Sequence, residues 1–368
     1  MTIRDIAGII EDWAPQAIAW EKDNIGLQIG DGNKRVRNIL LALEVNSEVI
    51  REAKRKSVDL IITHHPLIFR PLESLDTSED VGKFVHELIQ SSISVYSAHT
   101  NLDFTQGGVS FALAEKLELR NTDFLLRHNH DMKKLSVFVP PEQVEAVAEA
   151  MADAGAGVIG DYERCCLRIE GTGTFRPPEG AKPFLGRVGS FEKVKEVRLD
   201  MLVPGWRVPR VIAAMRKAHP YDEVAYDLYP LDNEAGDVGE GAIGDLAAPT
   251  TLRSFLGKVR RNLAVQNLRY TGDVAALIKR VAVCGGSGGA LLSVAISKGA
   301  DAFVTADVKY HTFHAASGKI ALIDAGHHET EYPALQVVAD RLKKGLTQKG
   351  KGIKVMIAKT KTNPIKYH

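Results

Sequence analysis

The chain has 368 residues, 45% of them hydrophobic and 25% charged, which is the balance of a soluble globular protein and excludes a mainly disordered or fibrous one. Lys and Arg total 47 against 46 Asp and Glu, so no global charge excess draws it to nucleic acid or to an acidic membrane surface. The length exceeds one ordinary core and implies two domains, and no run approaches the ~18 apolar residues of a membrane span.

In chain order, residues 1–13 read as a helix, with Thr2 and Asp5 in capping-box spacing and Ile3, Ile6, Ile10 and Trp13 on one apolar face. Asp5, Glu11 and Asp12 interrupt any signal-peptide core. A buried strand over 39–45 and a helix follow. The run Asp59-Leu-Ile-Ile-Thr63 is then a strand that delivers His64 and His65 at its carboxyl end, where Pro66 stops regular pairing. A strand over 93–98 leads into His99 and Asp103.

The middle of the chain contains a repeat. Val139/Val203, Pro140/Pro204, Val144/Val208, Val147/Val211, Ala150/Ala214, Met151/Met215 and Ala154/Ala218 match without a gap. Each copy reads as a strand, a Pro-marked turn and an amphipathic helix, followed by a further strand over 164–170 or 223–229. A doubled β-α-β predicts a ferredoxin-like α+β domain over residues 129–240, inserted into the rest. Cys165 and Cys166 are adjacent there and Cys284 is remote. Neither a disulfide framework nor a Cys-x-x-Cys zinc site is available, and a reducing, cytoplasmic setting follows.

A weaker repeat relates the flanks. Lys56-Ser-Val-Asp-Leu-Ile-Ile-Thr63 resembles Lys298-Gly-Ala-Asp-Ala-Phe-Val-Thr305, each preceded by a strand and helix and followed by another strand, over 93–98 or 320–325. Residues 1–128 and 241–368 are thus predicted to form a pseudo-symmetric, duplicated α/β core. Gly285-Gly-Ser-Gly-Gly289 joins a strand to a helix, either as a phosphate-cradling loop or as a tight turn.

Ligands in open α/β sheets bind beyond the carboxyl ends of strands. Three such ends, at His64-His65, at His99 with Asp103, and at His327 with Glu331, are expected to converge on one edge. The spacing of Glu331 after His327 repeats that of Asp103 after His99, so each half would give one carboxylate. Any one histidine could be ordinary hydrogen-bonded core. The set cannot be buried cheaply without a metal or mutual pairing. His86, His128, His130 and His368 lack this support.

Trp20-Glu-Lys-Asp-Asn-Ile-Gly-Leu-Gln-Ile-Gly30, Thr63-His-His-Pro66, Ala98-His-Thr-Asn-Leu-Asp103, His219-Pro-Tyr-Asp-Glu-Val-Ala-Tyr-Asp227 and Gly326-His-His-Glu-Thr-Glu331, in this order, resemble the GTP cyclohydrolase 1 type 2 homologue family, also called Nif-three-like. The resemblance implies two divalent metal ions on His64, His65, Asp103, His327 and Glu331, with zinc, iron or manganese suiting the set. It also implies a PII/CutA-like insert and a ring-shaped homohexamer. Glu44 and Ala306 depart from residues common in that family. The expected chemistry is hydrolysis of a nucleotide-like or other small substrate, with His99 and His311 as candidate proton carriers. A metal-binding regulatory or chaperone-like protein, whose insert senses a ligand or docks a partner, is the alternative. Neither a membrane nor nucleic acid is expected as a partner.

Overall fold

The computed structural model describes residues 1–128, 132–232, 238–346, 350 and 352–366, so His130 and His368 lie outside the described residues. The chain forms two compact units: Met1–Leu126 with Asp237–His368, and Arg127–Gly236.

The first unit contains two sheets. One orders the strands Gly26–Ile29, Ser94–Ser97, Leu60–Thr63, Asn38–Ala42 and Lys354–Ile357. All run parallel except Gly26–Ile29, which is antiparallel to Ser94–Ser97. The other orders Arg269–Tyr270, Ala321–Asp324, Ala302–Thr305, Leu277–Val283, Gly239–Thr251 and Arg120–Arg127. Its middle trio is parallel, and Arg269–Tyr270 is antiparallel to Ala321–Asp324. Leu60–Thr63 and Ala302–Thr305 are buried at every position, as strands covered on both faces must be.

The duplication is visible in small contacts. Asp59 Oδ2 accepts the N–H groups of Arg37 and Asn38 at 2.8 and 2.9 Å. Asp301 Oδ2 accepts those of Lys279 and Arg280, both at 2.8 Å. Each carboxylate satisfies two backbone donors on the neighbouring strand just before parallel pairing begins, at Ile39 in one half and at Val281 in the other. Ser57 (φ 49°) and Gly299 (φ 69°) make the same left-handed turn out of the preceding helix.

Two expectations need correction. The three ligand-bearing strand ends lie on two sheets rather than along one edge. The His-x-x-x-acid pairs are also not equivalent. Ala98 N–H donates to Thr63 O at 2.9 Å just as Ala325 N–H donates to Thr305 O at 2.8 Å, which places His99 opposite Gly326 and Asp103 opposite Thr330. The equal spacing is a coincidence, with one pair shifted by a residue along its helix.

The second unit is a four-stranded antiparallel sheet in the order Leu167–Phe175, Glu192–Pro204, Met132–Val139, Tyr226–Leu231, the ferredoxin-like arrangement. Helices Val144–Asp153 and Val208–Ala218 cover one face, where Val147, Met151, Val211 and Met215 pack on Leu135, Val137, Leu199 and Met201. The repeat thus marks core positions. The second strand of each copy begins later than its sequence suggested. Residues 157–165 are spent in a turn closed by Cys165 N–H to Gly157 O, and His219 to Tyr221 in another. No described helix is long and apolar enough to cross a membrane.

Candidate metal centre

His64 and His65 continue the parallel ladder one step past the strand: their N–H groups reach Ala42 O (3.3 Å) and Leu43 O (2.8 Å). Both rings are therefore presented beyond the end of the sheet on a backbone that cannot drift. On the neighbouring strand, His99 is the residue before the short helix Thr100–Phe104, which carries Asp103. In the other half, Gly326 (φ 85°) turns the chain sharply into helix His327–Glu331, so His327 and Glu331 lie one turn apart on one face.

Each of the four imidazoles is fixed on its Nδ1 side by an oxygen: His64 by Ala98 O (2.9 Å), His65 by Glu44 Oε1 (3.4 Å), His99 by Asp23 Oδ1 (2.9 Å) and His327 by Asp307 Oδ2 (2.7 Å). An acceptor at Nδ1 places the ring proton there and turns the Nε2 lone pair inward. His65 Nε2 lies 3.1 Å from Glu331 Oε2, and His327 Nε2 lies 2.9 Å from Glu331 Oε1. The two nitrogens are 3.3 Å apart. His64 Nε2 is 3.6 Å from Asp103 Oδ1 and 3.7 Å from Glu331 Oε1. Potential ligand atoms gather into two groupings, His64 with His65 and His99, and His65 with His327 and Glu331, each within 4.8 Å.

The electrostatics of the cluster favour positive charge beside Glu331. Burial disfavours charge on His65, yet hydrogen bonds to Glu331 and Glu44 overcome it and push its pKa up to about 10. The hydrogen bond to Glu331 raises His327 to about 9 against its burial. Burial would protonate Glu331, but the imidazoles of His64, His327 and His65 hold it well below the ordinary carboxylate range. Protons stand where a metal could. Among the described residues, the buried His64 Nε2 has no hydrogen-bond partner, and Glu331 Oε2 has only the contact to His65 Nε2. Such atoms are costly unless something else occupies them. An imidazole and carboxylate donor set without thiolate fits a divalent ion of the zinc, iron or manganese type.

Residues 1–364 match the family described as Duf34/NIF3 (NGG1p interacting factor 3). The chain belongs to the Duf34/NIF3 family. It is 42% identical over 366 residues to the "GTP cyclohydrolase 1 type 2 homolog" of Bacillus subtilis (strain 168), covering 99% of this chain and 98% of the relative. The Mycobacterium tuberculosis (strain ATCC 25618 / H37Rv) protein of the same name is 36% identical, covering 90% of this chain and 89% of its own. Among solved structures, a Bacillus cereus protein related to NIF3 superposes with a TM-score of 0.90 at 40% identity, covering 100% of this chain and 99% of that one.

In this Duf34/NIF3 chain the carboxylates behind the histidines were not legible as such. Asp23, Glu44 and Asp307 come from turns far from their partners in sequence, and only Asp23 lay inside a recognised motif. Asp23 also accepts the Thr100 N–H at 3.1 Å, fixing the start of the helix that carries Asp103. His311 lies in the helix Tyr310–Ala316 with its ring edge on Tyr310, and it joins neither grouping. The glycine loop proves to be a structural turn. The amides of Gly285, Gly286 and Gly288 are taken by Ser110, Thr330 and Thr305 hydroxyls. A Cβ on Gly286 would fall 2.3 Å from Glu331 Oε1, so the loop is bare where the carboxylate must pass.

Proposed function

We propose that this chain holds two divalent metal ions with His64, His65, Asp103, His327 and Glu331, and that it hydrolyses a nucleotide-like or other small substrate. The observation carrying the reading is the pair of ligand groupings that share His65 around the buried carboxylate of Glu331. Asp103 adds a second carboxylate on the His64 side. Bound ions would supply Lewis-acid polarisation of a carbonyl, imine or phosphoryl group and acidify water for attack. The chain's own residues set the geometry: Ala98 O, Glu44, Asp23 and Asp307 hold the four rings, and Gly286 leaves Glu331 its place.

His99 and His311 are the proposed proton carriers. His99 has the better position, because Asp23 holds Nδ1–H and leaves Nε2 to take up or release a proton beside the ligands. GTP is the first substrate to test, on the strength of the relatives' name. The family resemblance also supports a ring-shaped homohexamer, which light scattering on the purified protein measures.

Elemental analysis followed by a screen of GTP, cyclic nucleotides and other phosphate or amide substrates tests the reading. Divalent ions should co-purify, and metal-dependent turnover should disappear in Glu331→Gln. Tight metal retention with no turnover on any substrate would remove the hydrolase and leave the metal-binding regulatory reading.

A further inference from the structure

The ferredoxin-like unit has one sheet face covered by its helices and another that bears a hollow of about 630 Å³. That volume falls in the range of small-molecule sites. The hollow follows from the sequence of one strand. On Leu167–Phe175, the positions facing away from the helices are Ile169, Gly171, Gly173 and Phe175, paired with Arg198, Glu196, Val194 and Glu192. Two alternate positions therefore have no side chain. Glycine inside a strand weakens it, and it marks places where something approaches the backbone closely.

What approaches Gly173 from within the protein is Glu196, since a Cβ there would stand 2.0 Å from Glu196 Oε2. At Gly171 a Cβ would meet nothing nearer than 3.9 Å, so that position opens into the hollow. Phe138, Ile169, Phe175 and Phe184 supply apolar walls. The motif His219-Pro-Tyr-Asp closes one side. Burial lowers the His219 pKa; its Nε2 donates to Phe138 O (2.9 Å), and its Nδ1 accepts the Tyr221 N–H (3.1 Å). Tyr221, so placed, donates its hydroxyl to Glu196 Oε1 at 3.1 Å. Glu196 Oε2 has no protein donor among the described residues.

The charge of the lining is one-sided. Glu196, Asp222 and Glu223 line the hollow against the single guanidinium of Arg198, which is already bound to Asp200 Oδ1 (2.7 Å) and Ser136 Oγ (3.2 Å). An anion would meet net negative charge, and a neutral apolar molecule would leave Glu196 Oε2 without a donor.

We propose that this hollow is a binding site for a small organic cation, an apolar or aromatic body carrying an amine, with Glu196 as the counter-ion and Gly171 as the floor. It is separate in chain and chemistry from the metal ligands and does not rest on the hydrolase reading.

Three probes sharing one ring system test it on the full chain by calorimetry: tryptamine, neutral indole and indole-3-acetate. Tryptamine should bind about tenfold or more tightly than indole-3-acetate, with indole between them. Glu196→Gln should erase most of that preference. Gly171→Phe should fill the hollow and abolish binding, with circular dichroism confirming a folded chain and metal content unchanged. If indole-3-acetate binds as well as tryptamine, if no probe binds at millimolar concentration, or if a folded Gly171→Phe protein still binds tryptamine, the proposal is overturned. Self-association that the same substitution disrupts, without tryptamine binding, would assign the face to a second copy of the chain and would equally overturn it.

Discussion

Asp307 holds a left-handed backbone conformation (φ 53°) that costs most side chains energy but that Asp and Asn tolerate, and its carboxylate grips His327 at 2.7 Å. Asp307→Asn should therefore fold normally while losing the charge that makes the imidazole a strong donor. Metal affinity should drop by roughly 10- to 100-fold, measured by competition with a coloured chelator; an unchanged affinity would reduce Asp307 to a turn residue. Away from the site, Glu52 accepts the N–H groups of Lys359 and Thr360 at 3.1 Å and the Thr360 hydroxyl at 2.7 Å, and it pairs with Lys56. Burial opposes its charge, but these donors lower its pKa to about 2. A carboxylate depressed in the folded state contributes stability that is complete above its unfolded value of 4.5 and is lost as pH falls towards 2. Glu52→Gln should cost on the order of 1–3 kcal/mol near neutral pH, and the cost should shrink on acidification; urea titrations across pH check both. At this scale the sequence revealed the histidines, because strand-end patterns are local. It hid Asp23 and Asp307 behind them, because those contacts exist only once the chain has folded.

Among the elements, the flank repeat was readable where both copies keep the same job. Asp59 and Asp301 pin the neighbouring strand just ahead of its parallel pairing in both halves, so their common pattern survives divergence. The short antiparallel strands Gly26–Ile29 and Arg269–Tyr270 were not readable, being too brief to carry a period of their own. Nor was the one-residue shift between the helices after His99 and Gly326, since equal spacing says nothing about register. The glycine turn at 285–289 is the element on which this matters most. Gly286→Ala adds a Cβ 2.3 Å from Glu331 Oε1 at a residue with φ 63°, so backbone strain and displacement of the carboxylate act together. A loss of roughly 1–3 kcal/mol from the strained conformation is expected, together with loss of bound metal. Thermal melting with and without added zinc reads both: wild type should gain stability from the ion, and the variant should gain little. A variant stabilised by zinc as strongly as wild type would show that Glu331 has room to spare.

On the scale of the whole chain, every residue assigned to the metal centre lies in Met1–Leu126 or Asp237–His368, and none in Arg127–Gly236. The strands Arg120–Arg127 and Gly239–Thr251 are neighbours in one sheet, and Gly239 lies directly against Leu126 O. Residues 126 and 239 could therefore be joined by a short turn, and loop-closure entropy disfavours such a link little. Replacing residues 127–238 by an Asn-Gly turn should give a folded protein, since two-residue connections of this kind suit adjacent antiparallel strands. It should keep the wild-type metal content and lose all tryptamine binding. Elemental analysis and calorimetry on the shortened chain decide this together. Retained metal with lost amine binding would make the centre and the hollow independent devices on one chain. Loss of metal from a folded, shortened chain would mean instead that the ferredoxin-like unit helps to build the centre, a dependence none of its own side chains supplies.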